Sequence, residues 1–163
     1  NEIGTSLAEP DALDDARRVV RLAGQYGTAV LLPSDVVIAP SIDSDQTSTI
    51  SADAVPSDQS IFDIGPDTIA GFSKRIGAAK TIFWNGPMGV FEKPQFATGT
   101  KEIARAVAES RAYSVIGGGD SVAAVEEAGV AGQISHISTG GGASLEFVEG
   151  RALPGIEALR GER

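Results

Sequence analysis

Residues 113–129 read YSVIGGGDSVAAVEEAG, a short aliphatic run that passes through three glycines into a segment with helical spacing. The pattern returns in residues 134–150, which read ISHISTGGGASLEFVEG. A strand that turns into a helix through glycines leaves backbone N–H groups free at the helix N-terminus, where the macrodipole is positive. Each glycine cluster therefore predicts an anion site, most often one for phosphate.

The relative placement of the two glycine clusters decides what kind of site they make. We call residues 117–119 the first cluster and residues 140–142 the second cluster. If the two preceding strands lie parallel in one sheet, both clusters open on the same edge, which is where open α/β sheets bind ligands. The sequence therefore predicts that one bound molecule contacts both clusters.

Strand and helix patterns alternate along the rest of the chain. Strands are predicted at residues 28–32, 36–39, 49–52, 80–84, 113–116 and 134–138. Helices are predicted at residues 10–24, 67–78, 98–110, 121–128 and 143–149, and residues 153–163 are expected to form a turn and a frayed end. This alternation favours an α/β fold with a mainly parallel sheet. The loops LLPSD, WNGPMG, GGGDS and STGGGAS are then expected on one edge of that sheet.

The amino-acid composition disfavours several kinds of binding partner and of chemistry. The chain has 163 residues, 42% of them hydrophobic, which suits one domain with a sizeable core. Its formal net charge of -9 argues against nucleic acid or an anionic membrane as a partner, so a phosphate must be held by local donors or through a metal ion. Cysteine is absent, which excludes disulfides and thiol catalysis. No apolar run spans a bilayer and no signal peptide is evident, so a cytoplasmic protein is expected.

Asp120, directly after the first cluster, has two interpretations. As the first polar residue of a helix, it can cap that helix. In a phosphate site it would hold Mg²⁺, because carboxylates bind hard cations and the metal then bridges to phosphate oxygens. A cap needs one glycine and not three, which favours the phosphate site.

The second cluster offers three consecutive backbone N–H groups before a helix. Those of Gly140, Gly141 and Gly142 could surround the three oxygens of a transferring phosphoryl group. A flexible turn is the alternative. Neither cluster is a dinucleotide fingerprint, because the last glycine of that motif is replaced by Val122 or Leu145. Gly-Lys-Ser/Thr does not occur, so no P-loop is present.

The turn WNGPMGVFE, residues 84–92, carries two polar side chains suited to a nucleotide. Asn85, at a strand end, can reach a phosphate or a backbone group. Glu92 can accept hydrogen bonds from ribose hydroxyls, as acidic residues do in nucleotide sites. A surface carboxylate is the plainer interpretation of Glu92 alone. Trp84 and Phe91 are expected in the core.

Several strings together resemble the C-terminal, nucleotide-binding domain of phosphoglycerate kinase. They are LLPSDVV, FDIGP, TIFWNGPMGVFE, FATGT, SVIGGGDSVAAV, SHISTGGGASLEFVEG and LPGIEAL. The similarity runs from residue 4 to the end of the chain, and WNGPMGVFE and STGGGASLE are highly specific. The resemblance implies a Rossmann-like, three-layer α/β/α sandwich with a mainly parallel sheet, incomplete at its N-terminal side. It also implies that residues 1–163 are part of that domain and that the N-terminal substrate domain is absent.

The resemblance implies phosphoryl transfer between 1,3-bisphosphoglycerate and Mg-ADP in glycolysis, giving 3-phosphoglycerate and Mg-ATP. The implied cofactors are ATP or ADP and Mg²⁺, with Asp120 as the metal ligand. Gly140, Gly141 and Gly142 would act in catalysis by presenting N–H groups to the moving phosphoryl group. The implied nucleotide contacts are Leu7, Ile61, Phe62, Asn85, Glu92, Gly118, Gly119, Asp120 and Ser121. Ile61 stands where the family often has glycine, which puts the pocket shape in question.

The parts that are missing limit what the chain is expected to do. The family's catalytic arginine, nucleotide-binding lysine and opening strands are absent, so the chain alone is expected to be inactive. Phosphoglycerate would bind only with the N-terminal domain. Intact members are usually monomeric, but an exposed sheet edge would favour pairing of this fragment with another chain. Two alternatives are a non-catalytic nucleotide- or phosphate-binding module and a dehydrogenase-type dinucleotide domain, which the glycine spacing disfavours.

Overall fold

The computed structural model describes residues 2–161, which form a mixed α/β fold. The α-helices are α1 (Leu13–Tyr26), α2 (Pro66–Ala78), α3 (Thr98–Glu109), α4 (Gly119–Glu127), α5 (Gly142–Val148) and α6 (Pro154–Arg160). The strands are β1 (Asp35–Ala39), β2 (Ser48–Ser51), β3 (Ser60–Ile64), β4 (Thr81–Asn85), β5 (Tyr113–Gly117) and β6 (His136–Ile137). From β3 onward, strands and helices alternate, which confirms the α/β class.

The strands form two open, three-stranded sheets. An antiparallel sheet has the order β2, β1, β3, with Val36 opposite both Ile50 and Ile64. A parallel sheet has the order β4, β5, β6, with Ile116 opposite both Trp84 and Ile137. The predicted parallel sheet is therefore present, but the first three strands lie in a separate antiparallel sheet.

The main core lies between the parallel sheet and the helices that follow its strands. Trp84 of β4 and Ile116 of β5 project into it, and α3 contributes Ile103 and Val107. These two residues of α3 are four positions apart and so share one helix face. Val125 of α4 is fully buried in the same cluster. The helices thereby cover one face of the parallel sheet, and the carboxyl ends of its strands continue into loops.

Asp35 of β1 caps α2, whose preceding residue, Gly65, has no side chain for this purpose. The Asp35 Oδ2 accepts the Asp67 N–H at 3.0 Å, and Oδ1 accepts the Thr68 N–H at 2.7 Å. Burial raises the pKa of this carboxyl, but the hydrogen bonds from the Thr68 hydroxyl and the two N–H groups together lower the pKa below its ordinary value. The ionised carboxylate therefore joins the antiparallel sheet to α2.

Asp63 of β3 caps α3 in the same way. Its Oδ2 accepts the Gly99 N–H at 2.7 Å, and its Oδ1 accepts the Ile64 N–H at 2.9 Å. Asp63 is only 2% exposed, and burial raises the pKa of its carboxyl in spite of these two bonds. The two aspartates thus orient neighbouring helices while their pKa values move in opposite directions.

The strand predicted at residues 28–32 is wrong. Residues 28–33 have no regular secondary structure and lie outside both sheets, and Leu31 and Leu32 are 45% and 76% exposed. Leu31 lines a cavity together with Ile82 of β4, but the segment forms no ladder with that strand within residues 2–161. An apolar strand of a parallel sheet is stable only between paired and covered neighbours. The LLPSD loop therefore leads into antiparallel β1 and does not end a strand of the parallel sheet.

Smaller differences concern short elements. β3 was not predicted as a strand, and Pro154–Arg160 forms a regular helix where a turn was expected. The strand predicted at residues 134–138 is reduced to His136–Ile137. Helix α1 forms as predicted, but its apolar face is exposed. The end of the predicted frayed tail, residues 162–163, lies outside the described residues.

No helix among residues 2–161 is both long and apolar enough to cross a membrane.

Candidate functional site

The parallel sheet brings three strand ends to one edge. Asn85, the last residue of β4, is opposite Gly117, the last residue of β5. Just after β6, the Ser138 N–H donates to the Ile116 carbonyl at 2.9 Å, so the third strand ends level with the second. Because the three strands run in one direction, the 86–92 loop and both glycine clusters leave from the same edge.

The first cluster forms the turn from β5 into α4. Gly118 has a φ of 84°, a left-handed conformation that a side chain would strain. A Cβ on Gly118 would also overlap the Asn85 Oδ1, so these two residues are in direct contact. Gly119 begins α4, and Asp120 lies exposed in its first turn. The N-terminus of α4 therefore lies next to Asn85, with an exposed carboxylate beside it.

The second cluster forms the turn from β6 into α5. Gly141, which has a φ of 51°, directly precedes the helix. The Ser138 Oγ accepts the Gly140 N–H at 3.2 Å and lies 2.5 Å from the Ser144 Oγ, which orders the turn. A Cβ on Gly117 would lie 3.8 Å from the Ser144 Cβ, an ordinary van der Waals distance. The two clusters are therefore neighbours at the same edge.

One glycine in each cluster has no steric requirement. Neither Gly119 nor Gly142 has a positive φ, and a Cβ on either would meet no atom of the described residues within 4 Å. Alanine would fit at both positions and would favour the helix. The missing side chains leave room for a molecule to approach the backbone N–H groups at both helix N-termini.

The 86–92 loop is supported from inside the protein by two hydroxyl groups. Ser121 of α4 is fully buried, and its Oγ accepts the Gly86 N–H at 2.5 Å. Thr100 of α3 is also fully buried and accepts the Met88 N–H at 3.0 Å. The Ser121 hydroxyl is thus engaged within the fold, and a nucleotide would have to meet the backbone of this residue. The sequence patterns do not predict a functional role for Thr100, and the string FATGT is the only sign of it.

Two residues predicted to contact the nucleoside, Ile61 and Phe62, lie on β3 next to this loop. The Val90 N–H donates to the Phe62 carbonyl at 2.9 Å and ties the loop to β3. A cleft of about 430 Å³, a size typical of small-molecule sites, is lined by Ile61, Phe62 and Val90. Leu7 is 97% exposed, and its neighbour Ser6 accepts the Ile61 N–H through Oγ at 2.9 Å. The structure therefore places the two predicted residues of β3, Ile61 and Phe62, around one cleft beside the 86–92 loop.

Two predicted residues are not brought into contact with the rest. Leu7 lies beside β3 with its side chain in solvent. Glu92 is exposed in the turn that ends the 86–92 loop. Neither side chain lines the cleft beside β3. Their assignment to a nucleotide stays a prediction.

The sheet edge carries no basic side chain of its own. Residues 85–92, 117–121 and 138–144 contain neither lysine nor arginine. Within residues 2–161, no group of three or more His, Cys, Asp or Glu side chains is arranged to hold a metal ion. Positive potential at the edge therefore comes from the helix N-termini. Asp120, the exposed carboxylate in the first turn of α4, suits a cation that arrives already bound to phosphate oxygens.

Comparison with known proteins identifies the family that this chain resembles. The family model described as phosphoglycerate kinase matches residues 1–151. The phosphoglycerate kinase of Koribacter versatilis is 55% identical over 161 residues, which cover 97% of this chain and 40% of that protein. The phosphoglycerate kinase of Herpetosiphon aurantiacus is 52% identical over 158 residues, 96% of this chain and 40% of that protein. The chloroplastic phosphoglycerate kinase of Volvox carteri is 52% identical, and the match covers 97% of this chain and 35% of that protein.

Solved structures show the same partial match. Phosphoglycerate kinase from Coxiella burnetii has a TM-score of 0.92 and 45% identity, with 96% of this chain and 41% of that chain covered. The enzyme from Pyrococcus horikoshii has a TM-score of 0.76 and 35% identity, with coverage of 92% and 37%. This chain thus spans about 40% of the length of the relatives that it matches. Because the family match runs through nearly all of its residues, the chain belongs to the phosphoglycerate kinase family.

Proposed function

We propose that this chain is the nucleotide-binding part of a phosphoglycerate kinase. The reaction is phosphoryl transfer between 1,3-bisphosphoglycerate and Mg-ADP, which gives 3-phosphoglycerate and Mg-ATP. In this proposal the chain corresponds to part of the C-terminal domain and binds the adenine nucleotide. The phosphoglycerate binds the substrate domain, which lies in the part of the relatives that this chain does not match.

The meeting of two glycine-opened helices at one sheet edge carries the proposal. Gly119 and Gly142 begin α4 and α5 with no side chain and no steric reason for lacking one. Asn85 lies directly against Gly118 at the same edge. A chain of phosphates placed there would receive backbone N–H groups from both turns and would lie at the positive ends of both helix dipoles.

The cleft beside β3 is the proposed site of the adenine ring. Phe62 packs its ring against that of Phe96, with centroids 4.8 Å apart, which orients an aromatic wall. Ile61 lines the same cleft. We assign Leu7 to contact with the base and Glu92 to hydrogen bonds with the ribose hydroxyls. The sugar and phosphates would then pass along the 86–92 loop toward the glycine clusters.

Phosphoryl transfer depends on positioning and charge stabilisation more than on covalent chemistry. The N–H groups of Gly141 and Gly142 are assigned to the moving phosphoryl group, and that of Gly140 joins them only if it leaves the Ser138 Oγ, which accepts it at 3.2 Å. Mg²⁺, when bound, supplies positive charge at the phosphates, and Asp120 is the residue that would hold it. The edge has no lysine or arginine, so further positive charge must come from elsewhere. We therefore expect this chain alone to bind nucleotide without turning it over.

Calorimetric titration tests the nucleotide proposal. We expect ADP to bind more tightly with Mg²⁺ than in the presence of a chelator, because the metal joins the phosphates to a carboxylate. Asp120→Asn should remove most of that difference. Asp67→Asn is the matched control, since Asp67 is an exposed acid in the first turn of α2. Absence of ADP binding, or an equal effect of both substitutions, would contradict the assignment.

A non-catalytic nucleotide-binding module is the second candidate function. The composition of the sheet edge favours it, because residues 85–92, 117–121 and 138–144 contain no lysine or arginine to stabilise a transferring phosphoryl group. An assay of ATP consumption that depends on 3-phosphoglycerate separates the two. Addition of the N-terminal portion of a relative should restore turnover if this chain is the kinase half. Nucleotide binding with no restored turnover would favour the module.

The proposed compartment is the cytoplasm, in which glycolysis takes place. The relative from Volvox carteri is named as chloroplastic, so the compartment differs among relatives. Cell fractionation with an antibody against this chain would decide between the two compartments, and recovery in an organelle fraction would overturn the proposal.

A further inference from the structure

Every backbone N–H of residues 86–90 is directed into the protein. The Gly86 N–H donates to the Ser121 Oγ at 2.5 Å, and the Val90 N–H donates to the Phe62 carbonyl at 2.9 Å. The proline that follows Gly86 has no N–H. Both ends of this segment are therefore attached, one to α4 and the other to β3.

Thr100 holds the middle of the same segment. Its Oγ1 accepts the Met88 N–H at 3.0 Å and the Gly89 N–H at 3.2 Å, which uses both acceptor positions of a hydroxyl oxygen. Thr100 has no exposed surface and lies in the first turn of α3, directly after Gly99. Asp63 fixes that turn by accepting the Gly99 N–H at 2.7 Å. The loop is therefore attached to a buried and capped helix start.

This arrangement restricts how the loop can meet a ligand. With the N–H groups of residues 86–90 engaged inside, the loop has no donor there to offer to a phosphate. Its side-chain contacts with a nucleotide would come from Asn85, directly before the loop, and Glu92, at its end. The separation and direction of those two side chains depend on the path of the residues between them.

We propose that Thr100 is a positioning residue for nucleotide binding, acting through the 86–92 loop. Its single hydroxyl sets the path of the loop centre and thereby the placement of Asn85 and Glu92. This inference rests on the proposed nucleotide function and goes beyond it, because Thr100 is buried and touches no ligand. Loss of the hydroxyl would leave the part-buried N–H groups of Met88 and Gly89 without their acceptor and would let the loop take other paths.

Three variants test the role of the hydroxyl. Thr100→Val replaces the hydroxyl by a methyl group of similar size, whereas Thr100→Ser keeps the hydroxyl. Thr98→Val makes the same change at an exposed position two residues earlier on α3. We expect Thr100→Val to raise the Kd for Mg-ADP about tenfold, while Thr100→Ser and Thr98→Val change it by less than about twofold.

Amide hydrogen exchange of each variant gives a readout that does not need a nucleotide. Thr100→Val should speed exchange at residues 86–90 selectively, and Thr100→Ser should restore protection. If exchange instead increases uniformly across the chain, Thr100 only stabilises the fold and the proposal is overturned. An unchanged Kd in Thr100→Val, in a wild-type chain that binds Mg-ADP, also overturns it.

The two proposals can fail separately. If the wild-type chain does not bind Mg-ADP, the nucleotide function fails, whereas the exchange measurement still decides whether Thr100 holds the loop. If the wild-type chain binds Mg-ADP but Thr100→Val neither loosens the loop nor weakens binding, the nucleotide function stands and the positioning role is wrong.

Discussion

The glycines of the two clusters lack side chains for different reasons. Gly118 and Gly141 have φ values of 84° and 51°, so the turns themselves favour glycine there. Gly119 and Gly142 have ordinary φ values and room for a methyl group. The fold explains the first pair and leaves the second pair unexplained. In the proposed function, a phosphate held close to the helix N-termini would supply a reason for the second pair.

Replacement of Gly119 by alanine separates folding from binding. Gly119→Ala should leave the midpoint of thermal unfolding unchanged or slightly higher, since alanine fits this backbone conformation and loses about 0.4–1 kcal/mol less conformational entropy on folding than glycine. The same change should weaken Mg-ADP binding, because the methyl group occupies the approach to the N–H groups. Gly77→Ala in α2 is an equally open control that should not affect binding. Equal Mg-ADP affinity of the wild type and Gly119→Ala would count against a phosphate at this turn.

At the scale of elements, local patterns were the most reliable guide. Helices α2, α3 and α4 and strands β4 and β5 lie close to their predicted bounds, because periodicity and glycine turns are properties of short segments. The strand predicted at residues 28–32 is absent, because an apolar run forms a strand only beside a partner strand. The supports of the 86–92 loop could not be predicted either. Thr100 and Asp63 form hydrogen bonds with segments that are distant in sequence, and a local sequence pattern does not predict such contacts.

The two aspartate caps predict opposite pH dependences. Burial raises the pKa of Asp63, so the stability that this group contributes is present at low pH and is lost as the pH rises through the raised pKa. Hydrogen bonds lower the pKa of Asp35 despite its burial, so its contribution is present above the ordinary value and is lost as the pH falls through the lowered pKa. Urea unfolding between about pH 3 and pH 7 measures both effects.

Asparagine variants isolate each carboxylate. Asp35→Asn and Asp63→Asn should both destabilise the fold by about 1–3 kcal/mol, because each loses one buried acceptor. The stability difference between wild type and Asp35→Asn should grow as the pH rises, and that for Asp63→Asn should shrink. If both differences change in the same direction, the assignment of the two pKa shifts is wrong.

At the scale of the whole molecule, neither outer strand of the parallel sheet has a second strand partner within residues 2–161. β4 and β6 each pair with β5 alone, and Leu31, which is 45% exposed, lines a cavity together with Ile82 of β4. An unpaired strand edge of this kind is a template for pairing with another chain. The net charge of -9 opposes such pairing and is screened by salt.

We therefore expect concentration-dependent self-association that strengthens at high salt. Light scattering at low and high ionic strength measures it. Leu31→Lys should weaken association by placing a charge beside β4, whereas Leu159→Lys, a change at a 91% exposed position of α6, should not. A monomer at every concentration and both salt levels would contradict this expectation.

The most direct test of the account is an amide chemical-shift titration of the isotope-labelled chain with Mg-ADP, compared with adenosine at the same Mg²⁺ concentration. The account predicts that adenosine shifts the amides around the β3 cleft, and that the phosphates of ADP add shifts at Gly118, Gly119 and Gly141. Binding of Mg-ADP that leaves both glycine clusters unshifted, or that shifts amides only at the far strand β2, would contradict it.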